Sequence, residues 1–344
     1  MRLYYLESVW SGREVSEKKS VLIHPFDFLS KWRSLPSFEL VSYIFMFAAV
    51  PMLVYGIKPY DSSILFVIVL SVLCLYSGFF AALIWNDITD AEIDSIAHPD
   101  RPIPSGRISS SKFFLIALVF SAMTFLFAIL VSIWCLALVG ATAFFVAIHN
   151  KYLKKIIKIP AYSEIFTPIQ WVVVVIFGFF AVWTLELQGS FSFSFPFFGD
   201  MLSFNGSDFY AMMLFILFTY FADNAHDLPE GIHDYDGDIK QGVKTYATSF
   251  GKKNAARISF AMFFISGLLG FLLFYTTLLS FIFLVPFIGI WLYTLYYSYR
   301  LLNSEQQEMS SLGSLVGRKG FNYFLLSFDL IFLDVFVQMV LFYL

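Results

Sequence analysis

The sequence predicts an all-α polytopic membrane protein, with nine transmembrane helices bundled around a central cavity and the N-terminus in the cytoplasm. Composition, the length of the apolar runs and the placement of basic residues lead to this fold class. Of 344 residues, 59% are hydrophobic and 14% are charged, whereas a soluble domain carries about 25% charged residues. The apolar residues also gather in blocks near the roughly 20 residues that a transmembrane helix needs.

Nine apolar runs, each bounded by polar or turn-forming residues, mark the predicted spans. They cover residues 38–56, 62–87, 112–129, 132–149, 162–185, 208–227, 256–274, 277–299 and 321–342. A very short turn near Val131 separates the third run from the fourth. We therefore divide the chain into a cytoplasmic N-terminal segment, residues 1–37, and a single membrane domain, residues 38–344.

Lys and Arg residues lie almost entirely on one side of this layout. The chain has 22 of them, and all except Lys58 fall in the N-terminal segment or near the loops that follow the even-numbered spans. Because basic loops tend to stay on the cytoplasmic side of a membrane, we expect the N-terminus and these loops to face the cytoplasm.

A first acidic cluster lies at the cytoplasmic end of the second span. Asn86, Asp90 and Asp94 are four residues apart, so they share one face of a helix, and Asp87 lies beside them. No Lys or Arg interrupts this row. Oxygen ligands alone favour a hard cation such as Mg²⁺, which commonly completes its shell with phosphate oxygens of a substrate.

The loop after this cluster adds two candidate phosphate ligands, Arg101 and Arg107. Its prolines stiffen the backbone, and Gly106 permits a tight turn. We therefore expect an ordered loop from which either guanidinium could reach a phosphate.

A second acidic cluster lies at the end of the sixth span. Its acids at positions i, i+4, i+7 and i+11 of one helical face are Asp223, Asp227, Glu230 and Asp234. Pro229 and Gly231 argue against a regular helix through this stripe. Asp238 and two basic residues, Lys240 and Lys244, follow it.

Two acidic faces that open to one compartment predict a cavity that binds a diphosphate through metal ions. Nearby Arg and Lys side chains would contact the remaining oxygens. The alternative is that these acids are solvated charges at the membrane boundary. That alternative suits a single acid, but it explains poorly two helically phased clusters in so weakly charged a chain.

The residues of both clusters resemble motifs of the UbiA superfamily of intramembrane prenyltransferases. NDITDAEID followed by RPIPSGRIS is similar to the first aspartate-rich motif, and DLPEGIHDYDGDIKQGVKT is similar to the second. The resemblance implies a Mg²⁺-dependent enzyme that transfers a prenyl group from a polyprenyl diphosphate to an aromatic, quinone-like or lipid acceptor. It also implies that the lipid tail lies in a tunnel between helices.

The resemblance carries over to individual positions. The implied metal ligands are Asn86, Asp87, Asp90, Asp94, Asp223, Asp227, Asp234 and Asp238. Among them, the residues expected to be essential for catalysis are Asp90, Asp94, Asp227 and Asp234. The residues that resemble the family's basic diphosphate contacts are Arg33, Tyr152, Lys154 and Lys155. Anchoring to the membrane surface is an equally good interpretation of Lys154 and Lys155.

Other polar residues near or within the spans are left with open roles. His226, His233 and Tyr220 lie near the second cluster, and His226 could orient or deprotonate an acceptor. A surface or hydrogen-bonded histidine is the more ordinary interpretation. Asp329 and Asp334 lie within the ninth apolar run, where a carboxylate needs a partner or a proton. Contact with the cavity and pairing across helices are the two alternatives for them.

Two other functions stay open. A terpene cyclase on the same scaffold would act on a prenyl diphosphate without an acceptor. A metal or substrate transporter would need polar residues and broken helices near the middle of the bilayer. Both clusters lie at helix ends instead, which argues against transport. We expect membrane lipid, a prenyl diphosphate and a hydrophobic acceptor as partners, and no nucleic acid.

Overall fold

A computed structural model describes residues 37–97, 99, 101–153, 156–185, 193–194, 201–202 and 206–344, and the structural statements below concern these residues. Their regular structure is helical apart from one antiparallel pair of two-residue strands, β1 (Phe193–Ser194) and β2 (Met201–Leu202). The α-helices are α1 (Ser37–Tyr55), α2 (Ser62–Thr89), α3 (Ala91–Ala97), α4 (Ser110–Val131), α5 (Ile133–Ile148), α6 (Tyr162–Phe166), α7 (Ile169–Leu185), α8 (Gly206–His233), α9 (Tyr235–Gln241), α10 (Tyr246–Phe250), α11 (Lys252–Thr276), α12 (Phe281–Leu302) and α13 (Met309–Tyr343).

Seven helical segments of the described chain are long and apolar enough to cross a membrane. They are Phe38–Tyr55, Ser62–Thr89, Ser110–Val131, Tyr162–Leu185, Lys252–Thr276, Phe281–Leu302 and Met309–Tyr343. The prediction of a polytopic helical membrane protein is therefore confirmed. The fourth and sixth predicted spans correspond to α5, which has 16 residues, and to α8, and neither is among the seven. The count of nine spans and the cytoplasmic N-terminus stay predictions.

Two helices extend well beyond their apolar parts. α8 continues to His233, although the predicted span ends at 227, and α13 begins at Met309 rather than at 321. The extensions pack on each other at glycines of α13. A Cβ added at Gly313 would lie 2.6 Å from the Pro229 carbonyl oxygen, and one added at Gly320 would lie 2.6 Å from the His226 Cβ. This close packing explains why both helices run past the apolar sequence.

Pro229 lies inside α8 without breaking it, which the sequence did not predict. A proline has no backbone N–H, so the carbonyl of Ala225, four residues earlier, loses its usual helical donor. The hydroxyl of Ser259 on α11 donates to that carbonyl oxygen at 2.8 Å, and the site is fully buried. A neighbouring helix thus supplies the missing hydrogen bond, and Asp223, Asp227 and Glu230 stay on the regular helix α8.

Helix α7 connects the two helices that carry the acidic clusters. It packs on α2, which leads to the first cluster, and on α8, which carries much of the second. Helix α1 packs on α2, on α7 and on α13, while α13 packs on α8. Both clusters are therefore attached to one helical framework.

The two aspartates of the ninth apolar run pair across helices. Asp334 on α13 is fully buried and accepts hydrogen bonds from the Ser280 backbone N–H at 2.5 Å and the Ser280 hydroxyl at 2.6 Å. The Gln338 amide donates to it at 2.8 Å. Asp329 accepts a hydrogen bond at 2.7 Å from Ser42 on α1. These contacts give both aspartates a role in holding helices together.

Candidate active site

The first acidic cluster does not lie on one continuous helix, which corrects the predicted geometry. α2 ends at Thr89, and Asp90 has φ −97° and ψ 3° before α3 begins. Even so, the Asp90 N–H donates to the Asn86 carbonyl at 2.9 Å, and the Asp94 N–H donates to the Asp90 carbonyl at 2.8 Å. Because the i to i+4 hydrogen bonds continue across the break, the order of the predicted row is kept.

Arg101 bridges two acids of this cluster. Asp87 and Asp94 are buried, with 1% and 4% of their surface exposed. The Arg101 Nη1 donates to Asp94 Oδ2 at 2.6 Å and lies 3.9 Å from Asp87 Oδ1. The guanidinium therefore offsets part of the negative charge. Its side chain is 30% exposed, so it also has access to the space outside the cluster.

The loop from 101 to 109 is held by its own hydrogen bonds, as the sequence predicted. The Ser105 N–H donates to the Arg101 carbonyl at 3.0 Å, and Gly106 has a φ of +73°, a conformation that glycine adopts readily. Arg107 is exposed and donates from Nε to the Ser105 hydroxyl at 3.0 Å. This order places Arg101 and Arg107 on one short loop beside the first cluster.

The second acidic cluster is organised around His226 on α8. Its Nε2 lies 2.9 Å from Asp223 Oδ1, and its Nδ1 lies 3.5 Å from Asp227 Oδ1. The imidazole is thus placed between two carboxylates. The sequence interpretation had favoured an ordinary surface or hydrogen-bonded histidine, and the structure shows a buried, hydrogen-bonded one.

Several polar atoms of this second cluster are buried without a hydrogen-bond partner among the described residues. They are Asp223 Oδ2, Asp227 Oδ2, His226 Nδ1 and both side-chain atoms of Asn224. A buried polar atom without a partner is energetically unfavourable, and more so when it carries charge. A bound cation would satisfy the carboxylate oxygens, so the residues present fit a divalent metal ion.

Glu230 extends the cluster by one helical turn beyond Asp227. Ligand atoms of His226, Asp227 and Glu230 lie within 4.8 Å of one another. Glu230 also interacts electrostatically with Glu39 near the start of α1. The sequence placed Glu230 on the acidic stripe, but neither it nor His226 was among the predicted metal ligands.

The remaining predicted ligands lie beyond the end of α8. Asp234 follows the last residue of α8, is exposed, and precedes α9. Its N–H donates to the Glu230 carbonyl at 2.9 Å, so the order of the predicted stripe is kept across this helix break, as in the first cluster. The Asp238 carbonyl accepts from the Val243 N–H at 2.9 Å, which folds the chain back after α9. Lys240 and Lys244 are exposed.

A buried glutamate that the sequence did not single out supports this turn. The Glu164 carboxylate of α6 accepts a hydrogen bond from the Tyr246 N–H, and the Ser163 N–H donates to the Lys244 carbonyl at 3.2 Å. Glu164 also lies against Gly231, where a side chain would collide with it. A single acid at the start of an apolar run gave no signal of this role.

An aromatic cluster extends from helix α2, which leads to the first acidic cluster, to His226 of the second. The Phe79 ring of α2 lies 5.8 Å from Trp171 of α7, which lies 5.5 Å from Phe324 of α13. Phe324 lies 6.2 Å from the His226 ring. Tyr43 of α1 lies 4.4 Å from Phe79 and interacts electrostatically with Asp223. Aromatic rings from four helices, α1, α2, α7 and α13, therefore pack together beside the second cluster.

The predicted basic contacts are described only in part. Arg33, Lys154 and Lys155 lie outside the described residues. Tyr152 lies in a π-helical turn, His149–Leu153, and is exposed.

Comparison with known proteins identifies relatives along most of the chain. The UbiA prenyltransferase family matches residues 42–315. A digeranylgeranylglyceryl phosphate synthase of Saccharolobus solfataricus is 30% identical over 209 residues, which cover 59% of this chain and 65% of that protein. A protein of the same name from Sulfurisphaera tokodaii is 27% identical over 166 residues, which cover 48% of this chain and 51% of that protein. The matches thus span less than two thirds of the length of each of these relatives.

Solved structures share the fold. The apo structure of a UbiA homologue from Aeropyrum pernix K1 superposes with a TM-score of 0.64 at 19% identity, covering 89% of this chain and 100% of that chain. A structure from work on digeranylgeranylglyceryl phosphate synthase in membranes gives a TM-score of 0.55 at 18% identity, covering 86% of this chain and 98% of that one. At these identities the likeness concerns the fold alone. The family match over residues 42–315 shows that the chain belongs to the UbiA prenyltransferase family.

Proposed function

We propose that this protein transfers a prenyl group from a polyprenyl diphosphate to a hydrophobic acceptor, and that the reaction depends on Mg²⁺. The observation that carries the proposal is the presence of two acidic clusters, on α2–α3 and α8–α9, whose helices α2 and α8 both pack on α7 in a bundle of apolar helices. The relatives named digeranylgeranylglyceryl phosphate synthase support an acceptor of the glyceryl phosphate lipid type. Aromatic and quinone-like acceptors are the other candidates.

The acidic clusters would hold the metal ions. In the first cluster the ligands would be Asn86, Asp87, Asp90 and Asp94. In the second they would be Asp227, Asp234 and Asp238, with Asp223 close by. When bound, Mg²⁺ stabilises the negative charge that builds on the leaving diphosphate oxygens. Arg101 and Arg107 would contact oxygens that no metal covers, since guanidinium binds phosphate in a bidentate manner.

The reaction breaks the bond between the allylic carbon and the diphosphate oxygen, and the diphosphate leaves with the electron pair. The acceptor then forms a bond to the same carbon and loses a proton. Water would quench the allylic cation, so the site has to be dry. Tyr43, Phe79 and Trp171 would exclude water and present ring faces to the cation.

The proposed orientation places this site at the cytoplasmic face. The argument is the distribution of Lys and Arg, because the loops after the even-numbered spans carry nearly all of them. A substrate whose diphosphate is made in the cytoplasm would enter from that side, with its tail among the helices.

Purified protein incubated with Mg²⁺, a panel of prenyl diphosphates and the three acceptor classes tests the proposal. Mass spectrometry should detect a prenylated acceptor and an equal amount of released diphosphate, both lost when the metal is chelated. A cyclised hydrocarbon or alcohol formed without acceptor would instead indicate the terpene cyclase. Mg²⁺-coupled flux in proteoliposomes, without diphosphate release, would contradict an enzyme.

A further inference from the structure

The second acidic cluster contains a nitrogen ligand that the first cluster lacks. The first cluster offers only carboxylate and amide oxygens. In the second, ligand atoms of His226, Asp227 and Glu230 lie within 4.8 Å of one another. Two ligands on opposite sides of one ion are about 4 Å apart, because metal–ligand distances are about 2.0–2.2 Å. Small side-chain movements would therefore bring all three onto a single ion.

Asp223 holds the imidazole so that one nitrogen is left for a metal. The His226 Nε2 lies 2.9 Å from Asp223 Oδ1, which leaves Nδ1 facing Asp227. His226 is 6% exposed, and its Nδ1 has no hydrogen-bond partner among the described residues. Metal-binding histidines characteristically donate their other ring N–H to a carboxylate, which fixes the tautomer and the ring orientation.

The surroundings restrict the ring to this orientation. Gly320 of α13 lies directly against the His226 Cβ, where a larger residue would not fit. The Phe321 ring contacts the imidazole edge to face, with centroids 5.1 Å apart. The packing of α8 on α13 therefore fixes the position of the nitrogen donor.

We propose that His226, Asp227 and Glu230 form a mixed nitrogen–oxygen site that binds a first-row transition-metal ion in preference to Mg²⁺, with Asp223 as the positioning residue. Imidazole suits Zn, Cu, Fe and Ni, whereas oxygen ligands suit Mg²⁺ and Mn²⁺, so Mn²⁺ serves below only as a paramagnetic probe of the nitrogen ligand. This proposal deepens the proposed function. The use of the ion in catalysis rests on that function, whereas the binding of the ion does not depend on it. The first cluster, with oxygen ligands only, keeps its preference for Mg²⁺.

Pulsed electron paramagnetic resonance tests this site. The sample is the full chain, purified with an affinity tag that contains no histidine and loaded with Mn²⁺ alone. The wild type should show ¹⁴N modulation from a bound imidazole, and incorporation of ¹⁵N-histidine should shift it to ¹⁵N frequencies. His226→Gln should abolish the modulation and weaken Mn²⁺ binding at least about 10-fold. Asp223→Asn should retain the modulation and weaken binding by about 10–100-fold.

His233→Gln is the matched control. His233 lies on the same helix, but its Nδ1 faces the Ser310 carbonyl at 3.1 Å, so the modulation should be unchanged. Modulation that survives in His226→Gln would overturn the proposal. Equal affinities of the wild type for Zn²⁺ and Mg²⁺ would also overturn it, because imidazole suits Zn²⁺ and not Mg²⁺. The ¹⁵N-histidine experiment needs no substitution of the site, so its failure to shift the signal would also overturn it even if His226→Gln misfolds.

The result is separable from the proposed function. A nitrogen signature without prenyl transfer to any acceptor would retain the metal site and reject the transferase. Prenyl transfer with Mg²⁺, together with no nitrogen signature, would retain the transferase and reject the mixed site.

Discussion

Buried aspartates lie at two levels of the helical bundle, and the protein treats them differently. Asp334, about 21 Å beyond Gly320 along α13 at 1.5 Å per residue, has both oxygens hydrogen-bonded, to Ser280 and Gln338. Asp223 and Asp227, on the part of α8 that packs near Gly320, each keep one buried oxygen without a partner among the described residues. The hydrogen bonds of the carboxylate are therefore complete at Asp334 and incomplete at Asp223 and Asp227, and one oxygen of Asp329 is also without a partner among the described residues.

This difference marks candidate ligand atoms, although Asp329 Oδ1 and Glu164 Oε1 are also buried without a partner among the described residues. A buried charge is tolerated when its hydrogen bonds are complete, because they offset the loss of hydration. At Asp223 and Asp227 the incomplete bonding coincides with a cluster of potential metal ligands, which fits a cation. The first acidic cluster is intermediate, since Arg101 offsets part of the charge of Asp87 and Asp94 and could exchange those contacts for a diphosphate.

The largest expected effect is on catalysis, from removing one charge in either acidic cluster. Asp94→Asn and Asp227→Asn should each lower kcat by about 10²–10³-fold, the effect of losing one electrostatic stabiliser of a transition state. The measurement is product formation by mass spectrometry. Asp334→Asn is the matched control, because it removes a buried carboxylate that takes no part in the proposed site. Normal turnover by both Asp94→Asn and Asp227→Asn would contradict the distinction between the carboxylates of the acidic clusters and Asp334.

A smaller loss is expected for Arg101→Ala. Hydrogen bonds to charged groups contribute about 1.5–3 kcal/mol, so kcat/KM for the prenyl diphosphate should fall by about 10–100-fold. The steady-state rate over a range of donor concentrations measures it. Arg257→Ala removes an exposed arginine of α11 and should leave kcat/KM unchanged. An equal loss in both variants would indicate a general effect of surface charge.

The hydrogen-bonded carboxylate should matter for stability instead. Asp334→Asn places an amide against the Ser280 N–H and hydroxyl, so the free energy of unfolding should fall by about 1–3 kcal/mol. Thermal unfolding in detergent measures it. Asp61→Asn is the control, because Asp61 caps α2 through its side chain and asparagine caps a helix equally well. Unchanged stability in Asp334→Asn would remove the structural role assigned to it.

The smallest expected effect concerns the support of the second cluster. Ser259→Ala removes the donor to the Ala225 carbonyl and should lower stability by about 1 kcal/mol. In a Pro229→Ala background the restored backbone N–H serves that carbonyl, so Ser259→Ala should there have little effect. A double-mutant cycle on unfolding free energies measures the coupling, and additive effects would contradict this account of Pro229.

Sequence reasoning predicted the helical membrane fold because apolar run length and breakers are local signals. It placed α2 and α11 within a few residues of their ends. It missed the early start of α13, because Gly313 and Gly320 contribute through contact with α8 and not through hydrophobicity. It also expected Pro229 to interrupt α8, and the hydroxyl that prevents this lies on a helix 30 residues away in the chain.

For the candidate site, the sequence predicted the spacing of the acidic residues but not the contacts of their side chains. Spacing marked Asn86, Asp90 and Asp94 as one row, and the structure keeps their order across a helix break. It could not show that Arg101 contacts Asp94, or that His226 lies between Asp223 and Asp227. Those contacts depend on the direction of side chains after packing. Glu164 carried no pattern, because its partner, the Tyr246 N–H, is 82 residues away.

The central claim is that the two acidic clusters together bind a prenyl diphosphate through divalent metal ions. Isothermal titration of the purified protein with an unreactive prenyl thiolodiphosphate tests it most directly. We predict one binding event that requires a divalent cation and is lost in both Asp94→Asn and Asp227→Asn. Binding of equal affinity in the presence of a chelator, or binding that survives in both variants, would contradict the claim.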